Sequence, residues 1–210
     1  MKSIKDLLIS PGDFFERLCS EPESLKAPVL IIFIAGIVSA VSALIALSAT
    51  SALIPAEMAS LGIIISAFTF VFTIVFTFVV WVVLAGLFHI ISSYLNGKGS
   101  FTRSLEVTAY GMIPQIIGAV ISAVLIYMHL SSVSIGQVTS LAEAEALTAA
   151  LSTGPLMTAG VIVSIIFILW SANIWIFGFM KCRQMEAKKA AIAVGIPTVL
   201  LILFTALALL

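Results

Sequence analysis

LGIIISAFTFVFTIVFTFVVWVVLAGLFHII, Leu61 to Ile91, contains no Asp, Glu, Lys or Arg in 31 consecutive residues. As a helix rising about 1.5 Å per residue it would reach roughly 46 Å, well beyond the roughly 30 Å of bilayer hydrocarbon. No face of such a helix can be left in water, so it is a membrane span that must tilt or project past the bilayer. Thr69, Thr73 and Thr77 recur at four-residue spacing and line one face of it. Hydroxyls so placed ordinarily bond back to carbonyls of their own helix, and a polar pathway is the other use of such a row.

Four more runs flank this one: Ala27 to Ala49, Glu106 to Met128, Leu156 to Phe179 and Ala190 to Leu210. Each reaches the roughly 20 residues that a crossing needs. The sequence predicts an all-α polytopic membrane protein, a bundle of five transmembrane helices over 27–210 behind a polar segment at 1–26. Composition agrees, since 61% of the residues are hydrophobic and 10% charged, against about 25% charged in a soluble domain. Glu106, at the start of the third run, is the only Asp, Glu, Lys or Arg inside any of the five runs.

All ten basic residues precede the first run, lie between the second and third, or lie between the fourth and fifth. By the positive-inside rule the N-terminus is cytoplasmic and the C-terminus outside. Acidic residues are interspersed among the basic ones, so no polybasic lipid-binding cluster forms. Met1 to Lys26 lacks the apolar core of a cleavable signal peptide, leaving the first span as its own targeting signal. Cys19 and Cys182 fall on the reducing side without a CxxC partner, and are expected to be ordinary small residues rather than a disulfide or zinc site.

Within the polar segment, Ser10-Pro11-Gly12-Asp13 reads as a helix start, with Ser10 as N-cap and Pro11 at the first helical position. The helix is expected to run to about Ser20. Phe14, Phe15 and Leu18 share its apolar face, either docked beneath the bundle as a lid or offered to a partner or to lipid. In the first span Ala35, Ser39 and Ala43, with Gly36 and Ala40, form small-residue rows that let another helix come close. Packing inside the bundle and a homodimer seam are both uses of such rows. Beyond the third run, Ser140 to Leu151 is rich in helix formers and is predicted to form a short outer helix, with Leu141, Leu147 and Leu151 lying on the membrane or capping the bundle.

The polar stretch NGKGSFTRSLEVTAYGMIP, Asn96 to Pro114, separates the second and third runs. A phosphate loop needs GxxxxGK[ST] after a strand. Here Ser92 stands where the first glycine belongs, Gly99 where the hydroxyl belongs, and a membrane helix precedes the loop. Nucleotide binding is therefore excluded, and Asn96, Gly97 and Gly99 are turn formers. Ser100 or Thr102 then caps a helix in which Gly111, Pro114 and Gly118 follow closely, and Pro114 is expected to kink it. A carbonyl freed at membrane depth must find a donor from Tyr110, Gln115 or a neighbouring helix.

Pro11 with Phe14 and Phe15, the five spans, GKGSF at Gly97 to Phe101 and AYGMIP at Ala109 to Pro114 together resemble the prokaryotic branch of the Yip1 family. The resemblance runs over most of the chain, and the block from GKGSF to AYGMIP is its most specific part. It implies an integral membrane protein of the prokaryotic cell membrane with five spans and a cytosolic N-terminus. Eukaryotic members are associated with Golgi and endoplasmic reticulum trafficking and bind prenylated Rab GTPases. With about 26 residues before its first span and no DLYGP motif, this chain does not take the Rab partner over.

Two functional expectations follow. The first is a non-enzymatic protein that organises membrane or partner proteins through its cytoplasmic face and helix seams, in contact with the lipid bilayer and with a homodimer mate or another membrane protein. The alternative is a small-solute or ion transporter or channel, whose polar centre at the third-span kink comprises Glu106, Tyr110, Gly111, Pro114 and Gln115, with Asn173 from the fourth span. Asn173 and Ser171 are equally suited to ordinary hydrogen bonding between helices. His89 and His129 lie on opposite sides of the membrane, so no catalytic or metal set, no cofactor and no nucleic-acid partner is expected.

Overall fold

The structure, a computed structural model, describes residues 4–50, 59–133 and 141–207. Among these the helices are α1 (Ile4–Ile9), α2 (Pro11–Cys19), α3 (Lys26–Thr50), α4 (Ala59–Tyr94), α5 (Phe101–Gly111), α6 (Ile113–Ser132), α7 (Leu141–Ser152), α8 (Pro155–Cys182) and α9 (Ala187–Ala206). The chain is an all-α polytopic bundle. Lys26–Ser48, Leu61–Tyr94, Phe101–Ser132, Pro155–Cys182 and Ala187–Ala206 are long and apolar enough to cross a membrane. Lys2, Glu57, Ser140 and the last three residues of the fifth run lie outside the described residues.

The third span starts five residues earlier than its hydropathy indicates. Ser100 is the reason: in extended conformation, its Oγ accepts the Arg103 backbone N–H at 3.0 Å and starts a helical turn on polar residues. α4 closes on the predicted turn, where Asn96 (φ 66°) and Gly99 (φ 97°) take left-handed backbone. The Lys98 N–H donates to Arg183 O at 2.9 Å, joining this turn to the one between α8 and α9. Thr73 and Thr77 donate back to the carbonyls of Thr69 and Thr73 at 2.7 and 2.8 Å, the ordinary use of such a row.

Helix pairs meet where a small residue lets them. A Cβ on Gly36 of α3 would lie 3.2 Å from the Ile74 backbone of α4, and Ala35 and Ala40 are buried. The small-residue row of the first span is thus engaged within the bundle. Gly118 of α6 receives Phe167 of α8, where a Cβ would stand 2.7 Å from the ring. α7 lies over the end of α6: Leu147 and Leu151 are buried against Leu130 and Val133, and His129 Nε2 pairs with Ala150 O at 3.0 Å.

The main cluster of buried apolar residues includes the end of the bundle where the described basic residues gather. Phe14, Phe15, Leu18, Phe88, Trp175 and Phe179 are each at most 3% exposed there. α2 lies across this end with Pro11, Phe14, Phe15 and Leu18 turned in and Asp13, Glu16 and Arg17 turned out. Burying a phenylalanine contributes roughly 1.5–3 kcal/mol, so the two rings alone hold the helix down. Pro11 occupies the first helical position, while Ser10 makes no side-chain capping bond.

One expectation is overturned: Cys19 and Cys182 form a disulfide, their Cα atoms 5.2 Å apart. The span count placed both residues at the same end, but not that α2 folds back until its last residue meets the last residue of α8. Lys181 reinforces this contact by donating to Glu16 Oε2 at 2.6 Å. That hydrogen bond and the ammonium charge hold the exposed Glu16 carboxyl below its usual range.

Candidate functional site

Two arginines organise the basic end. Arg103, one turn into α5, donates through Nη1 to Glu106 Oε2 at 2.5 Å and to Leu18 O at 3.1 Å, and through Nη2 to Glu21 O at 2.8 Å. The second oxygen of Glu106 accepts the Ser24 N–H at 2.5 Å, and Ser100 Oγ donates to Glu23 at 2.5 Å. The end of α2, at Leu18, and three residues of its connection to α3, Glu21, Glu23 and Ser24, are therefore tied to the start of α5. Side-chain exposures of 8% and 2% for Arg103 and Glu106 put the pair in low dielectric, where each charge depends on the other.

Arg183 is the second centre and is 1% exposed. Its Nη1 donates to Ser104 Oγ at 2.9 Å and meets His89 Nδ1, while Nη2 donates to Ser93 Oγ at 2.9 Å and Gly97 O at 3.1 Å. A guanidinium only donates, so His89 Nδ1 is the acceptor and the ring proton sits on Nε2. Among the described residues no carboxylate comes within 4.0 Å of Arg183, and its Nε has no partner. Burial pushes the guanidinium below its usual value.

At the third-span kink the helix breaks at Met112 between α5 and α6, with Pro114 buried in the first turn of α6. Tyr110 packs edge-on against Phe14, ring centroids 5.1 Å apart. Gly111 faces the indole of Trp175: a Cβ on Gly111 would lie 2.1 Å from the ring. Two indoles brace the carbonyls of α5 from either side, Trp81 Nε1 donating to Leu105 O at 3.0 Å and Trp175 Nε1 to Thr108 O at 2.9 Å. These indoles come from α4 and α8 and bond carbonyls before the break, while the carbonyl of Tyr110, four residues before Pro114, faces among the described residues only the Met112 backbone N–H.

The candidate residues do not converge on one site. Glu106 belongs to the Arg103 centre, and Tyr110, Gly111 and Pro114 to the packed kink. Gln115 stands further along, between a crevice of about 150 Å³ that Ser39 and Thr77 also line and one of about 170 Å³ that Ser164 lines. Its Nε2 is buried without a hydrogen-bond partner. Asn173 is on the outside: it is exposed in the same row of α8 as Ile162, Ile166, Leu169 and Trp170, with no partner among the described residues. Eight residues separate it from Lys181, about 12 Å along the helix, so it lies within the hydrocarbon. Phe14, Phe15 and Leu18 are buried inside the chain.

Sequence reasoning passed over Arg103, Arg183, Trp81 and Trp175. Arg103 carried a signal, its spacing of three from Glu106. Arg183 carried none that set it apart from Lys181, Lys188 and Lys189.

Comparison with known proteins agrees with this architecture. An uncharacterized protein of Methanocaldococcus jannaschii is 34% identical over 131 residues, 60% of this chain and 90% of that protein. No solved structure matches. The model of the Yip1 domain matches residues 5–209, nearly the whole chain. With its five spans, the GKGSF turn and the AYGMIP kink, the chain belongs to the Yip1 family, in its prokaryotic branch.

Proposed function

We propose that this protein is a non-enzymatic organiser of membrane proteins, holding a partner or a second copy of itself through its basic face and through lipid-facing helix surface. The placement of Asn173 carries this reading. A carboxamide in hydrocarbon, out of reach of the interface and with no partner among the described residues, is costly unless another protein supplies donor and acceptor. An asparagine on a facing helix supplies both. The interior supports the same reading, because two indoles and four phenylalanines fill the basic end where a passage would have to open.

Small-solute or ion transport, the alternative, draws on the unpartnered Gln115 Nε2 and its two crevices. Met112 lines one crevice and also belongs to the buried layer containing Trp81 and Trp175, which stands between Gln115 and the basic end.

Asn173→Leu is expected to weaken association in the bilayer by about 0.6–2 kcal/mol, roughly 3- to 30-fold, while leaving thermal stability unchanged. Energy transfer between separately labelled copies in vesicles and photo-crosslinking from position 173 measure it. Crosslinks to lipid alone, together with no energy transfer in the wild type, would sink the proposal.

A further inference from the structure

We infer that the groove formed by His89, Ile90, Ser93 and Tyr94 at the basic end of α4 is a binding site for a phosphate-class anion, such as a phosphodiester lipid headgroup. The groove is a shallow, open depression of about 420 Å³ along the last turns of α4. Directly behind it lies Arg183, a buried cation whose hydrogen bonds all go to neutral acceptors: Ser104 Oγ, His89 Nδ1, Ser93 Oγ and Gly97 O. A buried charge without an opposite partner is one of the costlier arrangements in a protein, and an anion in the groove, behind which the guanidinium sits, offsets part of that cost through His89 and Ser93.

The same contacts set the donor that such an anion would meet. Arg183 occupies the lone pair of His89 Nδ1, which leaves the proton on Nε2. No acceptor for Nε2 is present among the described residues, and the ring is steadied edge-on by Phe101 at 5.4 Å between centroids. Ser93 is already committed, accepting from Arg183 and donating to His89 O at 2.7 Å. Tyr94 adds a phenol at the rim, 84% exposed, and Ile90 an apolar flank, 55% exposed, on which a glycerol or the top of an acyl chain can rest. Tyr94 is the last residue of a membrane span, and tyrosine concentrates at the interface where such spans leave the hydrocarbon.

The test uses the full chain, labelled with ¹⁵N-histidine and held in a phosphate-free detergent. The three probes are dihexanoyl-phosphatidylglycerol, inorganic phosphate and dihexanoylglycerol. His89 is expected to carry its proton on Nε2 and to shift with phosphatidylglycerol but not with dihexanoylglycerol. His129, at the other end of the bundle, stays unchanged. A shift with inorganic phosphate as well supports the site and makes the free ion a sufficient ligand; a shift with phosphatidylglycerol alone supports it and assigns the lipid. His89→Gln weakens binding about tenfold, and Tyr94→Phe, at a position exposed enough to leave the fold intact, weakens it less. The inference is overturned by a proton on Nδ1, by no shift with either phosphate probe, by an equal shift with dihexanoylglycerol, or by affinity that neither variant changes.

Discussion

Gly111→Ala is expected to destabilise the protein by about 3 kcal/mol or more, the larger end of what overpacking costs. The added Cβ would stand 2.1 Å from Trp175 Cδ1 and Nε1. The indole cannot step aside: it is fully buried, packs on Phe88 at 5.0 Å between ring centroids and donates to Thr108 O. Moving it breaks that bond and leaves the Thr108 carbonyl with only the Met112 N–H at 3.2 Å, about 0.5–1.5 kcal/mol in addition. Thermal unfolding in detergent reads the loss. Trp175→Leu, which makes room, is expected to restore part of the stability of Gly111→Ala although it is itself destabilising. Strict additivity of the two changes would show that the contact is not what limits the site.

Glu106→Gln is the second large effect, about 3–5 kcal/mol, the cost of stranding one member of a buried ion pair. Arg103 would keep its bonds to Leu18 O and Glu21 O but lose its buried counter-charge, retaining only the partly exposed Glu23 carboxylate at 3.8 Å. The effect is local: the connection from α2 to α3 loosens while Cys19 and Cys182 still hold α2 down. Hydrogen exchange is therefore expected to rise at residues 20–25 in the variant and to spread into α2 when a reductant opens the disulfide. Arg103→Met combined with Glu106→Met is expected to be milder than either single change, because it leaves no stranded charge. Equal or greater damage in the double variant would contradict a stabilising role for the pairing itself.

Those two effects fall on residues that the sequence marked very differently. Gly111 and Pro114 stood out because glycine and proline are conspicuous in an apolar helix, and Glu106 because it was the one charge inside a run. Their partners were silent. An indole that bonds a carbonyl 67 residues away, as Trp175 does with Thr108, leaves no trace in local spacing. The five spans, the turn at Asn96 to Gly99 and a cap at Ser100 or Thr102, of which the structure uses Ser100, were legible because each is written in adjacent residues. The outward placement of Asn173 was not, because α8 is apolar all round and offers no periodic contrast to tell the lipid side from the packed side. The disulfide was illegible for a related reason: 163 residues separate the cysteines, and the expectation for a reducing compartment pointed away from their pairing.

The Arg103 and Arg183 centres have a common logic. Each is a buried cation whose donors join separate chain segments, Arg103 tying the end of α2 and the link between α2 and α3 to α5, and Arg183, just after α8, tying α4, the turn after it and α5. The basic end is thereby fixed as one surface, with the aromatic layer immediately beneath it. A rigid face over a filled interior is suited to holding other molecules in place and poorly suited to alternating access, in which helices move about a central site.

The measurement that tests this most directly is solute and ion flux in vesicles reconstituted with the purified protein. The packed basic end predicts release of entrapped ions and small solutes no faster than from protein-free vesicles, and no change on Gln115→Leu. Protein-dependent flux that Gln115→Leu abolishes would contradict it, and would make the two crevices beside Gln115 parts of a pathway.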